Sequence, residues 1–112
     1  MKSGGQTRIV LVTCGKVAEA RRIARSVVEK RLAACVNIVP GPVESVYRWK
    51  GKVGRAREWL LMMKTTVKRL PALEKEVKRL HRYDVPEFIA LPISAGSREY
   101  LTWLAEMCEL RE

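Results

Sequence analysis

The stretch AACVNIVPGPVESVYRWKGKVGRAREWLLMMKT, Ala33 to Thr65, decides the fold. It reads as two strand-rich arms joined by a two-residue turn at Lys50-Gly51. The glycine supplies a positive φ, and Lys is a less usual companion there than Asn or Asp. That turn sets Trp49 opposite Lys52 and Tyr47 opposite Gly54, where the ring can lie over the missing side chain. The same register continues to Ser45 against Ala56 and Val43 against Glu58, and, carried on unbroken, pairs Ile38 with Met63 and Val36 with Thr65. Pro40-Gly41-Pro42 interrupts the first arm. Two prolines bring no N–H to a ladder, so a bulge or bend is expected, dividing the hairpin into a base within the sheet and a tip projecting past it. Trp59-Leu60-Leu61-Met62-Met63, in the base of the second arm, is apolar on both faces. One face can pack on helices. A chain of this size has little left to dry the other, so an interface with another copy is expected.

Outward from the hairpin the pattern alternates. Arg8 to Cys14 (RIVLVTC) is rich in β-branched residues and reads as a central strand, stopped by Gly15. From Val17 the period changes: Ala20, Ile23, Ala24, Val27, Val28 and Leu32 share one helical face, with no capping box at its start. Leu70, Leu73, Val77 and Leu80 mark a second helix, with Pro71 in its first turn and Glu74/Lys78 as an i,i+4 pair. Phe88 to Ile93 reads as a last strand. Ser97 can cap a terminal helix whose apolar face is Tyr100, Leu101, Leu104, Met107 and Cys108. The order is βαββαβ plus a helix: an α+β, ferredoxin-like antiparallel sheet with two helices on one face and the other face bare. A flexible tail is expected over residues 1–7 and a single domain over 8–112.

The chain has 112 residues, enough for one domain, and is 47% hydrophobic and 30% charged, a globular balance. No apolar run approaches the roughly 20 residues of a membrane span, and Ile9 to Val12 is too short for a signal peptide, so a cytoplasmic location is expected. The net charge of +10, from 22 Lys and Arg against 12 Asp and Glu, permits contact with polyanions. The basic residues are spread over helix faces and the hairpin (Arg48, Lys50, Lys52, Arg55, Arg57) and not gathered in a tail, so they read as solvated surface and no specific nucleic-acid partner is expected.

Cys14, Cys35 and Cys108 are odd in number and widely spaced, which excludes a disulfide framework and a structural zinc knot. Each reads as a small buried residue. His81, the one histidine, has two readings. It can satisfy the last carbonyls of its helix, or it can ligate a metal with nearby carboxylates such as Asp84 and Glu87, joined by Cys14 as a soft ligand. Such a set suits Cu²⁺ or Cu⁺, held weakly. Glu87 has a second reading as an ion-pair partner of Lys64 or Arg57. Tyr47, Trp49, Tyr83 and Trp103, with Lys64, could wall a cleft between subunits or simply pack there. No dinucleotide, Walker, HExxH or nucleophile-elbow motif is present, and no enzymatic activity is expected.

EKRLAACVNIVPG (Glu29 to Gly41), SVYRWKGKV (Ser45 to Val53), EWLLMMKT (Glu58 to Thr65), HRYDVPEFIALPI (His81 to Ile93) and EYLTWL (Glu99 to Leu104) together resemble the CutA divalent-cation-tolerance family over nearly the whole chain. The resemblance implies a tight homotrimer whose long hairpins edge-pair between subunits, with an architecture like that of the PII signal proteins. It also implies a role in tolerance of copper or other divalent metal ions, without catalysis. Animal members are linked to membrane anchoring of acetylcholinesterase. The alternative is a PII-like signalling or scaffold protein that holds a small anion or a protein at its inter-subunit clefts. For copper, the family's proposed ligands correspond to Val12, His81 and Glu87. Cys14 lies two residues beyond Val12 on the same strand face, a substitute and not a match. Arg82 replaces a frequent Pro, Lys50 a frequent acid, and Gly15-Lys16 stands where a Pro is usual. Arg82 and Lys50 make their surroundings less welcoming to a cation.

Overall fold

The computed structural model describes residues 1–110; residues 111 and 112, the end of the expected 8–112 domain, lie outside the described residues. The elements are β1 (Lys2–Ser3), β2 (Thr7–Cys14), α1 (Val17–Glu29), β3 (Cys35–Ile38), β4 (Val43–Trp49), β5 (Lys52–Thr66), one turn of 3₁₀ helix (Val67–Arg69), α2 (Leu70–Leu80), β6 (Ile89–Pro92), β7 (Ala95–Gly96) and α3 (Arg98–Met107). The main sheet runs β3-β5-β2-β6, antiparallel throughout, and β4 extends the hairpin along the far half of β5. This is the expected ferredoxin-like order.

Alternation along β2 and β5 divides the sheet. Val10, Val12 and Cys14 point to the same face as their register neighbours Met63, Leu61 and Trp59. There they meet Ile23 and Val27 of α1 and Leu73 and Val77 of α2, all fully buried apart from the partly buried Trp59. Each such large aliphatic side chain contributes roughly 1.5–3 kcal/mol when removed from water. The opposite face carries Ile9, Leu11, Leu60 and Met62, together with Ile89 and Leu91, which stay 47% and 44% exposed. Among the described residues this face is only partly covered: Ile9, Leu11, Leu60 and Met62 are half-buried. α3, capped by Ser97 Oγ accepting from Tyr100 N–H at 3.1 Å, closes a second small core of Ala34, Leu101, Leu104 and Cys108.

The hairpin tip follows the expected register from Trp49↔Lys52 through Tyr47↔Gly54 to Val43↔Glu58. Lys50 (φ 51°) and Gly51 (φ 78°) both take positive φ, as a turn matched to strand twist requires. The base differs from expectation: Ile38 pairs with Leu61 and Val36 with Met63, not with Met63 and Thr65. Pro40, Gly41 (φ 78°) and Pro42 take two more residues out of the first arm than out of the second. An even slip keeps every side chain on its intended face.

The N-terminal residues also depart from the expected frayed tail. Lys2 and Ser3 pair with Gly96 and Ala95, and Gly4 N–H donates to Ser94 O at 2.9 Å. A side chain at Gly4 would collide with the Ile93 carbonyl oxygen, so the glycine is what lets the backbones meet.

Candidate metal centre

β2, α1 and the end of α2 converge at the mouth of the sheet. Cys14 ends β2 on the buried face. Glu19 lies in the first turn of α1, four residues before Ile23 and eight before Val27, so the helical period turns it inward with them. His81 follows α2, held by its N–H donating to Val77 O at 2.9 Å. All three side chains are buried, and each offers one ligand atom within 4.8 Å of the others.

The His81 imidazole is tightly placed. Nε2 lies 2.7 Å from the Thr13 carbonyl, which can only accept, so Nε2 carries a proton. The Cys14 Sγ is 3.8 Å from the same nitrogen. On the other side of the ring, Nδ1 accepts from Tyr83 N–H at 3.1 Å and lies 3.3 Å from Glu19 Oε2. Glu19 Oε2 also accepts from Arg82 N–H at 3.3 Å. Tyr83 stacks obliquely on the imidazole, ring centres 4.7 Å apart, and donates its hydroxyl to Glu58 at 2.8 Å. The expected role for His81 in closing α2's own carbonyls is therefore replaced by a bond across to β2.

The surroundings are acidic and dry. Burial, then the charges of Glu19 and Glu58, push the Cys14 thiol up to about 12. Burial, then the bond to Glu58, raises the Tyr83 phenol well above its ordinary range. Both are protonated at neutral pH. Cys14, Glu19 and His81 can nonetheless be drawn around a cation, since each offers a ligand atom within 4.8 Å of the others, but Cys14 faces Nε2 and Glu19 faces Nδ1, so the cluster must shift to gather on the one nitrogen that ligates. Holding it requires the thiol to lose its proton and His81 to release Thr13, which together make the site weak at neutral pH.

Glu87 is not part of this cluster. It is exposed just before β6, and burial together with the Glu58 charge raises its carboxyl. Among the described residues it forms no ion pair with Lys64 or Arg57. The expected cleft residues are scattered in one chain: Tyr47 lies over Gly54 and Trp49 near the turn, Lys64 is on β5, Tyr83 is at His81, and Trp103 packs on Tyr100 at 5.4 Å. Glu19 and Glu58 are the acids that the sequence reading did not single out.

Residues 8–107 match the family described as CutA1 divalent ion tolerance protein. The chain belongs to that family. A curated relative, the divalent-cation tolerance protein CutA of Thermus thermophilus, is 55% identical over 88% of this chain and 94% of its own length. A solved structure of the divalent cation tolerance protein (Cut A1) from the same organism superposes with a TM-score of 0.89 at 52% identity, covering 92% of this chain and 99% of that one. Mouse Protein CutA is 46% identical over 94% of this chain, which spans 59% of the mouse protein's length. The CutA1 fold here thus carries a buried thiol, carboxylate and imidazole at one end of its first long strand.

Proposed function

We propose that this chain is a non-enzymatic, homotrimeric tolerance protein of the cytoplasm that binds copper or another divalent cation weakly. The observation that carries the reading is the buried Cys14–Glu19–His81 cluster, within a chain of the CutA1 family. A thiol beside an imidazole favours copper over hard cations. The partly covered apolar face formed by Ile9, Leu11, Leu60, Met62, Ile89 and Leu91 supports a trimer, since a monomer would leave it partly wet. Three free cysteines suit a reducing compartment. Glu87 enters this proposal only as an outer acid that a neighbouring subunit could complement.

The test is a calorimetric titration of the purified protein with Cu²⁺, beside His81→Ala and Cys14→Ser, with light scattering for the mass. Saturable binding lost in both variants supports the reading. Binding unchanged in His81→Ala would remove the site, and a monomeric mass would remove the trimer. A second reading is a PII-like scaffold with clefts between subunits. Exposed Tyr47, Trp49, Tyr83 and Trp103, with Lys64, favour it, and a Tyr47→Ala/Trp49→Ala variant that keeps copper binding but loses a captured small anion would select it.

A further inference from the structure

Arg69 is a largely buried cation that forms no ion pair among the described residues. It closes the 3₁₀ turn after β5, is only 8% exposed, and makes a single hydrogen bond, Nε to the Arg31 carbonyl at 3.2 Å. Among the described residues no carboxylate pairs with it, and its two terminal nitrogens have no partner there. No buried side-chain nitrogen among the described residues lacks a partner, so these terminal nitrogens open to solvent while the stem is buried, and the planar fork they present is shaped to hold an oxyanion by two parallel bonds.

The side chain lines an open cavity of about 620 Å³ between the end of β5 and the end of α3. That volume lies in the range of small-molecule sites. Lys68 lies beside Arg69 in its wall, and Gln6 and Thr66 add polar groups. Glu109 is the one carboxylate of the lining among the described residues. Its main-chain carbonyl is gripped by the Arg31 guanidinium at 2.8 Å, which brings a third cation to the rim. Three cations against one carboxylate leave a local excess that a dianion neutralises. Ala105 and Leu110 give the remaining wall an apolar surface, suited to the organic part of a ligand.

We infer that this cavity is a binding site for a small phosphate-bearing molecule, its phosphate held by Arg69 and Lys68. The site is separate from the Cys14–Glu19–His81 cluster, shares none of its residues and does not depend on the copper reading.

The probes are inorganic phosphate and phenyl phosphate, titrated calorimetrically into the full-length protein at an ionic strength fixed with sodium chloride. Saturable binding at one site per chain is expected. Lys68→Ala should weaken it about tenfold, and Arg69→Lys, which keeps the charge and loses the fork, by at least as much. Lys68 is exposed, so its variant remains informative even where Arg69→Lys folds poorly. Saturation by inorganic phosphate alone identifies free phosphate as the ligand chemistry. Tighter binding of phenyl phosphate identifies an organic phosphate seated against Ala105 and Leu110. Absence of saturation with both probes, or wild-type affinity in both variants, overturns the inference.

Discussion

His81 donates from Nε2 to the Thr13 carbonyl 2.7 Å away, and this bond sets the terms on which the buried cluster can take a cation. The nitrogen nearest the Cys14 sulfur is the one that carries the proton. For that nitrogen to ligate, the proton must move to Nδ1, where Glu19 Oε2, at 3.3 Å, is placed to accept it. The tautomer shift releases no proton to solvent, costs the Tyr83 N–H its acceptor, and makes Glu19 Oε2 the partner that orients the ring, leaving only the other Glu19 oxygen to ligate. Cys14 does release one, because its thiol is pushed up to about 12. Copper affinity should therefore rise about tenfold per pH unit from pH 6.5 to 9, with one proton released per ion. Calorimetry in two buffers of different ionisation enthalpy counts that proton. Cys14→Ser should flatten the pH dependence, and an unchanged slope in that variant would rule out the thiol as a ligand.

Glu76 joins the two helices. Its carboxylate accepts from Arg79 Nε and Nη2, each at 2.8 Å, from Lys30 Nζ at 2.9 Å, and from the Ser26 hydroxyl. These bonds, Arg79's first and Ser26's next, hold its carboxyl far below the ordinary 4.5. The native chain thus binds fewer protons at this group than the unfolded chain in acid, so its contribution is complete above about pH 4.5 and is lost progressively as the pH falls further. Glu76→Gln should lower Tm by several degrees at pH 7, and the gap from wild type should narrow steadily below pH 4.5. Thermal melts between pH 2 and 7 measure it; a gap independent of pH would mean that the charge of Glu76 is not what binds α1 to α2.

The parts of this fold that local chemistry dictates were open to a reading of the chain. Lys50-Gly51 fixes the turn, and the turn fixes every pair out to Val43↔Glu58. Beyond Pro40-Gly41-Pro42 the reading loses count, because residues expelled from a ladder leave no trace in the alternation when their number is even. The candidate site was legible in its donors and not in their company. His81 and Cys14 stand out by type. Glu19 carries no signal by type, although its spacing to Ile23 and Val27 places it on the buried face. The decisive acceptor, Thr13 O, is a main-chain atom 68 residues from His81, and a backbone carbonyl carries no sequence signal at all.

Arg31 shows a different trade between local and distant demands. It occupies the position just past α1 where glycine is usual, with φ 60°, while Leu32 N–H donates to Val27 O and Arg31 N–H to Val28 O. A non-glycine residue there costs about 1 kcal/mol. The side chain offsets that cost: Nη2 reaches Glu106 O at 2.9 Å, in the last turn of α3, and Nε reaches Glu109 O at 2.8 Å, just past its end, where α3 has no basic residue of its own. Arg31→Gly removes both the strain and the two bonds, so its stability should stay within about 1 kcal/mol of wild type. Arg31→Ala removes the bonds and keeps the strain, and should fall about 1 kcal/mol below the glycine variant. Urea unfolding ranks the three proteins, and hydrogen exchange at the end of α3 should quicken alike in both variants. An alanine variant as stable as the glycine one would show that the left-handed turn after α1 carries no strain worth relieving.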